Sequence, residues 1–593
     1  MKRIIDIITT EVKAAFTACG YDESFAKVTL SNRPDLCEYQ CNGAMAAAKT
    51  YKTKPIEIAN AVVAALSGNC MFEAADAVMP GFINLKLGSE FLASYINEMR
   101  TSEKHGMEEV QKKETVIVDY GGANVAKPLH VGHLRAAVIG EAIKRMGRFV
   151  GHQVIGDVHL GDWGLQMGLI IEELRDRQPQ LPYFDEAFTG EYPSEPPFTI
   201  SELEEIYPTA SAKSKADEAF RERAQDATLR LQKGYAPYRA IWQHIMKVSV
   251  ADLKKNYSSL QVEFDLWKGE SDAEQYIPDM IQGLIDKGLA YESQGALVVD
   301  IAEETDSREL PPCIIRKSDG AALYATSDLA TIVEREQDFH PDHYVYVVDK
   351  RQELHFTQVF RTAKKAGITA VDRRLDFVGF GTMNGKDGKP FKTREGGIMR
   401  LENLIAEINE AAYERIMENR TVSEEEARET AKLVGLAALK YGDLSNQATK
   451  DYVFDIERFT SFSGNTGPYV LYMITRVNSI RRKYEALCGE QGIAVRDNSV
   501  VQPPASEPEK TLMLSLARFS EAIQGSFEEL APHKLCAYIY ELATALSHFY
   551  DTIKILAEED KERQAGYISL VTLTRDVLRT CIHVLGFEAP ERM

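Results

Sequence analysis

The sequence predicts a multidomain α/β protein: a Rossmann-like parallel-sheet domain with insertions, an α+β domain before it and an all-α helix bundle after it. Three observations lead there. Thr115-Val-Ile-Val-Asp-Tyr is a short β-branched run. It passes through a glycine-containing loop into a helical pattern with apolar Leu134, Val138 and Ile143, the opening of a nucleotide-binding strand–turn–helix unit. Tyr344-Val-Tyr-Val-Val is a second buried-strand run, and from about residue 423 the chain reads as helix. The 593 residues are too many for one core, and 44% hydrophobic with 27% charged residues is globular composition.

Along the chain, Ile4, Ile8, Val12 and Ala15 define one helix face ending near Gly20, while Asp6 and Glu11 interrupt any signal-peptide reading. A first domain over 1–107 closes with the strand pattern Gly81-Phe-Ile-Asn-Leu-Lys-Leu, in which Phe82 and Asn84 share a face. The charged stretch from Glu103 to Glu114 reads as a linker. The α/β domain covers 115–380, with a Pro-rich, charged insertion over about 180–300. A loop-and-helix region follows over 381–463, where Ser423 and Glu426 form a capping box for a helix running to Gly442. Amphipathic helices fill 464–593, interrupted around Pro503, Pro504 and Pro508.

A net charge of −20 excludes a chain coated in positive charge, though a local basic track can still hold a nucleic acid. No apolar run reaches the roughly 18 residues of a membrane span. The eight cysteines are scattered. Only Cys37 and Cys41 lie close together, without a second ligand pair, so the expectation is reduced thiols and no metal site.

The chemistry concentrates in Asn124-Val-Ala-Lys-Pro-Leu-His-Val-Gly-His, between the first strand and its helix. Amides at a helix N-terminus point toward bound phosphate. Gly132 leaves room for an adenine ring, and His130 and His133 can donate to phosphate oxygens as charge develops. The plainer alternative is a pair of helix-start histidines satisfied by backbone carbonyls.

This motif resembles the nucleotide-binding signature of class I aminoacyl-tRNA synthetases, and its surroundings resemble arginyl-tRNA synthetases in particular. Further similar blocks are Gly156-Asp-Val-His-Leu-Gly-Asp-Trp-Gly-Leu-Gln, Tyr324-Ala-Thr-Ser-Asp-Leu-Ala, Asp349-Lys-Arg-Gln-Glu-Leu-His-Phe-Thr-Gln, Gly464-Asn-Thr-Gly-Pro-Tyr and the ending Pro590-Glu-Arg-Met. The likeness spans nearly the whole chain, except the insertion near 180–215.

The resemblance implies an arginine–tRNA ligase: ATP with Mg²⁺ as a substrate complex, L-arginine and tRNA(Arg) as partners, no tightly bound cofactor, and a cytoplasmic monomer. It implies that the 1–107 domain meets the tRNA D-loop, that 381–463 carries the lysine loop and stem contacts, and that 464–593 binds the anticodon. By the same route, His130, His133 and Lys127 are catalytic. Asn124, Lys127, His130, Gly132, His133, Lys386, Lys389 and Lys392 serve ATP. Asp119 and Asn124 hold the α-amino end of arginine, while Tyr324, Asp328 and Gln352 line its guanidinium. From the residues alone, Asp328 lies one helical turn after Tyr324, so both can face one pocket, or it is a plain helix cap. Phe82 and Asn84 would meet a D-loop adenosine by stacking and hydrogen bonding. Tyr469, Tyr472, Arg476 and Arg482 offer the aromatic-plus-cation mixture that RNA needs, with Arg481, Lys483 and Tyr484 nearby.

The chain departs from the class at the second signature, Lys-Met-Ser-Lys-Ser. Its loop reads Gly385-Lys-Asp-Gly-Lys-Pro-Phe-Lys-Thr-Arg, which places Pro390 where the first lysine belongs. Lys127 is the compensating cation in this comparison. The family likeness also implies that arginine activation depends on bound tRNA, docked on helices about 50 Å or more from the chemistry if the domains lie end to end. Two rivals are a nucleotidyltransferase of the same superfamily acting on a small metabolite, and an RNA-binding relative without catalysis.

Overall fold

The periodic apolar start of the chain forms the helix Ile4–Ala18, with Ile4, Ile8, Val12 and Ala15 all buried. A four-stranded antiparallel sheet accompanies it, made of β1 (Val28–Leu30), β2 (Tyr39–Cys41), β3 (Phe72–Val78) and β4 (Phe82–Leu87) in the order β1-β2-β4-β3. In β4 the fully buried Ile83, Leu85 and Leu87 form the core face, and Asn84 lies on the other. This computed structural model describes residues 1–318, 323–389, 399–418, 422–496 and 498–593.

β5 (Thr115–Asp119) is apolar throughout its middle because both of its faces are covered. β6 (Gln153–Asp157) pairs with it in parallel and brings Asp157 beside Asp119. The chain then leaves this sheet over 158–342, a wider interruption than the expected 180–300. That stretch contains the helices Leu165–Arg177, Ile200–Ala216, Glu218–Gln232 and Ala236–Ser259. It also holds a small antiparallel sheet of β7 (Ala290–Ser293), β8 (Ala296–Val299) and β9 (Cys313–Arg316), and the helix Tyr324–Asp338. Parallel pairing resumes with β10 (His343–Asp349) and β11 (Arg374–Phe380), giving the order β11-β10-β5-β6. Connections run to opposite sides from β5 and β10, so a crevice opens beyond their C-terminal ends, where ligands bind in such sheets.

The helix Val131–Val150 follows β5 and buries Leu134, Val138 and Ile143. Its Arg135 is 1% exposed. It ion-pairs with Asp443 at 2.9 Å and donates to the Gly381 carbonyl at 2.8 Å, tying the helix to Glu424–Leu444 and to the start of the lysine loop. Glu424–Leu444 runs two residues past the expected Gly442. Its capping box is half formed: Ser423 Oγ accepts the Glu426 N–H at 3.3 Å, but the Glu426 carboxylate is taken by Arg592 at 2.8 Å. Near the end of this helix, buried Lys440 donates to the carbonyls of Leu260 at 2.7 Å and Gly586 at 2.8 Å, and Tyr441 donates to the Cys536 carbonyl at 2.9 Å.

The C-terminal helices Gly467–Gln491, Glu507–Ala517, Phe519–Glu528, Pro532–Thr552 and Lys561–Val584 therefore do not stand end to end with the α/β domain. Arg145 donates to the His583 carbonyl at 3.1 Å, and a Cβ added to Gly147 would lie 2.6 Å from the Phe527 ring. These contacts sit about 20 Å along the Val131–Val150 axis from its histidines, so the end-to-end arrangement behind the expected 50 Å does not hold at this junction. No described helix is long and apolar enough to cross a membrane.

Candidate functional site

At the start of Val131–Val150 the two histidines cap the helix reciprocally. His130 Nδ1 accepts the Gly132 N–H at 3.0 Å, and His133 Nδ1 accepts the His130 N–H at 3.1 Å. Neither satisfies a backbone carbonyl, so the plainer reading of the motif does not describe it. An Nδ1 that accepts from an amide places the ring proton on Nε2, leaving two neutral imidazoles with Nε2–H donors to spare. Their ring centroids are 4.0 Å apart. Burial, then His130, push His133 down to about 3, and burial with Lys127 pushes His130 down. Gly132 also gives the histidine pair its room: a Cβ there would lie 2.7 Å from the His130 ring.

Asn124 is held by a parallel bridge to Gly161, where a Cβ would meet Asn124 Oδ1 at 2.1 Å. Lys127 lies 4.6 Å from the centre of the Tyr207 ring. Of the lysine loop, Lys386 faces Asp455 at 3.4 Å and Glu457 at 3.8 Å, and Lys389 is exposed. Lys392 and Pro390 lie outside the described residues.

The acidic side of the crevice is built around a cation that sequence reasoning missed. Arg335, 1% exposed, sends Nη2 to Asp119 at 2.6 Å and to Asp157 at 2.7 Å, and Nη1 to the Tyr346 hydroxyl at 3.1 Å. Two carboxylates against one guanidinium leave a negative charge uncompensated beside Asp119, which suits an ammonium group. Asp119, Asp157 and His159 also have the spacing of a metal cluster, yet Arg335 already bridges both carboxylates. His159 Nδ1 is buried without a hydrogen-bond partner among the described residues.

Asp328 is interior to its helix, whose cap is Leu323, so it is not a plain N-cap. Its Oδ2 lies 2.5 Å from His355 Nε2. Tyr324, one turn earlier, is 75% exposed. Gln352 is exposed in the short turn after β10, three residues before His355. Glu270 is a further missed residue. Burial, aided by the nearby charges of Asp162 and Asp328, pushes its carboxyl up to about 7 against the pull of His159. Arg335, seven residues after Asp328, left a helical-face signal, whereas nothing around Glu270 in sequence marks it.

The remaining candidates are scattered. Asn84 is buried and accepts from Gln40 Nε2 at 2.8 Å, with Phe82 half-buried on the same face. Tyr469 is half-buried against Tyr540, Tyr472 is 42% exposed and Arg482 is exposed. Arg476 is engaged with Asp551 at 2.9 Å and stacks 3.8 Å from the Tyr550 ring. Tyr484 is buried, so it offers no stacking surface.

Residues 96–456 match the model of the class I tRNA synthetases (R) catalytic domain, 470–593 that of the DALR anticodon binding domain, and 2–87 that of the arginyl tRNA synthetase N terminal domain. The chain is 59% identical over 600 residues to the arginine–tRNA ligase of Agathobacter rectalis and 56% identical over 593 residues to that of Alkaliphilus oremlandii, covering 100% of each pair. Solved arginyl-tRNA synthetases from Plasmodium falciparum (TM-score 0.82, 24% identity) and Thermus thermophilus (TM-score 0.79, 21% identity) share the fold over 100% of both chains. The chain belongs to the arginyl-tRNA synthetase family of class I tRNA synthetases.

Proposed function

We propose that this chain is an arginine–tRNA ligase that activates L-arginine with ATP and passes the arginyl group to the 3′-terminal adenosine of tRNA(Arg). An arginine carboxylate oxygen attacks the α-phosphorus, the bond to the bridging oxygen breaks, and pyrophosphate leaves with its electron pair. A ribose hydroxyl of the terminal adenosine then attacks the arginyl carbonyl, AMP leaves, and the hydroxyl proton passes to solvent. The observation that carries this reading is the pairing of two neutral Nε2–H donors at a helix N-terminus with an acidic pocket in the same crevice.

His130 and His133 donate to α-phosphate oxygens as charge develops, with Lys127 beside them as the cation replacing the second-signature lysine; Lys386, Lys389 and Lys392 remain loop candidates. Asp119, relieved only in part by Arg335, takes the arginine ammonium together with Asn124. Asp328 and Glu270 supply carboxylates to the guanidinium, with Tyr324 and Gln352 at its rim. No side-chain nucleophile is needed, because positioning and charge stabilisation carry the chemistry. Mg²⁺ accompanies ATP, held by phosphates and water. Phe82 and Asn84 serve the D-loop, and Tyr469, Tyr472, Arg476 and Arg482 the anticodon arm. The eight free cysteines fit a cytoplasmic enzyme, and a monomer is the assembly to test by sedimentation.

The deciding experiment is arginine-dependent ATP–pyrophosphate exchange with tRNA(Arg), using citrulline as a neutral isostere. Exchange with arginine and none with citrulline is the expected result. Equal exchange with both, or none with either, overturns the reading.

A further inference from the structure

The Pro-rich insertion, for which the family likeness gave no role, supplies the helix Ile200–Ala216, and one turn of that helix reaches the nucleotide signature, once directly and once through Arg400. Tyr207 places its ring 4.6 Å from the Lys127 ammonium. Glu204, three residues earlier on the same face, ion-pairs with Arg400 Nη2 at 2.7 Å. Arg400 in turn is the antiparallel bridge partner of His130: the Val131 N–H donates to the Met399 carbonyl at 3.1 Å and the Leu401 N–H to the Leu129 carbonyl at 3.0 Å. In that arrangement the facing residues are a close pair, with side chains on one side. The helix therefore meets the signature directly at its lysine and indirectly through Arg400, the residue paired with its first histidine.

The chemistry of the two contacts differs. A carboxylate neutralises a guanidinium. An aromatic face attracts an ammonium without a hydrogen bond, so it orients Lys127 yet leaves its N–H donors free. Lys127 is the cation whose charge reaches His130 and His133, so where it is held decides what the phosphates of a nucleotide meet. Pro208, next to Tyr207, cannot donate to the Glu204 carbonyl, which makes this turn the least self-supported in the helix. The Glu204–Arg400 pair anchors it from outside.

We propose that Tyr207 is a positioning residue for Lys127, holding the ammonium beside the paired histidines so that the phosphates of ATP meet an already oriented cation. This rests on the ligase reading for the identity of the nucleotide. A flexible lysine loses rotamer freedom when it binds; a lysine parked on a ring has lost part of it beforehand.

The test is the Kd of radiolabelled ATP, by equilibrium dialysis on the full chain, in a double-mutant cycle. Tyr207→Phe keeps the ring and should bind ATP as the parent does. Tyr207→Leu removes the π-face and should bind about 3- to 10-fold more weakly. In a Lys127→Met background the same Leu change should add nothing, because its effect passes through the ammonium. Equal weakening in both backgrounds means that Tyr207 is packing only. A Tyr207→Leu chain that binds normally, or a Phe chain as weak as Leu, also overturns the proposal. If Tyr207→Leu melts early, Tyr207→Met restores bulk without a ring and takes its place. Pyrophosphate exchange by the parent chain separates the two failures: no exchange sinks the ligase reading, whereas exchange with a flat cycle sinks only the role of Tyr207.

Discussion

Asp328 Oδ2 and His355 Nε2 lie 2.5 Å apart, joining the helix Tyr324–Asp338 to the helix Glu353–Ala366. The carboxylate is thus held by His355 from the neighbouring helix. Asp328→Asn keeps its shape but loses the charge a guanidinium needs. The arginine KM should rise roughly 10- to 100-fold, the value of a charged hydrogen bond, with the ATP KM little changed. Unchanged arginine kinetics would reduce Asp328 to a structural partner of His355.

Glu270 carries a pH dependence of known sign. Its carboxyl sits at about 7, so the free protein holds it protonated below neutrality and charged above. A guanidinium binds the charged form. Arginine affinity should therefore weaken by up to about tenfold per pH unit below 7, and binding near pH 7 should release a proton. Calorimetric titration in phosphate and in Tris reads that release directly. In Glu270→Gln the release and the acid limb should vanish, and a persistent limb assigns it to another group.

The histidine pair separates folding from chemistry. His133→Asn offers an oxygen that can still accept the His130 N–H but removes the Nε2–H donor. Melting should stay close to that of the parent while exchange falls roughly 10²- to 10³-fold. His133 is held down to about 3, so the exchange rate should show no acid limb from that residue above pH 5. Stability contributed by the pair should decline as pH drops below the unfolded value of about 6.5, because the unfolded histidine takes a proton that the folded one refuses. Near-normal exchange by His133→Asn would remove the donor from the mechanism.

Arginine activation is expected to require tRNA, tested on the full chain by exchange with and without tRNA(Arg). The route is short: the helix of the signature carries the histidines at one end and touches His583 and Phe527 near the other. Cutting the chain after residue 463 cannot serve as the probe, because it uncovers Tyr441 and leaves Lys440 short of the Gly586 carbonyl. Circular dichroism of that truncation should show no cooperative melt. Full exchange without tRNA would end the coupling idea.

Local pattern carried the legible part of this molecule. Ile4, Ile8, Val12 and Ala15 repeat at the helix period, and Tyr344 to Val348 are apolar on both faces, so both elements could be read directly. β6 could not: Gly156 and Asp157 dilute its short run, and it becomes a strand by pairing with β5. The histidine signature was legible, but not its reciprocal cap, which turns on ring nitrogens rather than residue types. Arg335 left only its place on the helical face of Asp328, and its pairing with Asp119, 216 positions earlier, was not legible; Glu270, about 150 positions beyond Asp119, left no signal, a separation no window spans.

Lys440 also dictates an order of events during synthesis. Its amine is buried at 0% exposure, and burial holds it down to about 7, with one of its two acceptors, Gly586, 146 residues later in the chain. While the ribosome is still making the bundle, Lys440 has only the Leu260 carbonyl of its two acceptors, so Glu424–Leu444 lacks part of its final support. The nucleotide signature, complete by residue 133, must therefore wait about 450 residues for the support its helix needs. Nascent chains halted at successive lengths should resist protease only once Gly586 has emerged, so a broken-off message yields chains that proteases clear rather than a partly active enzyme.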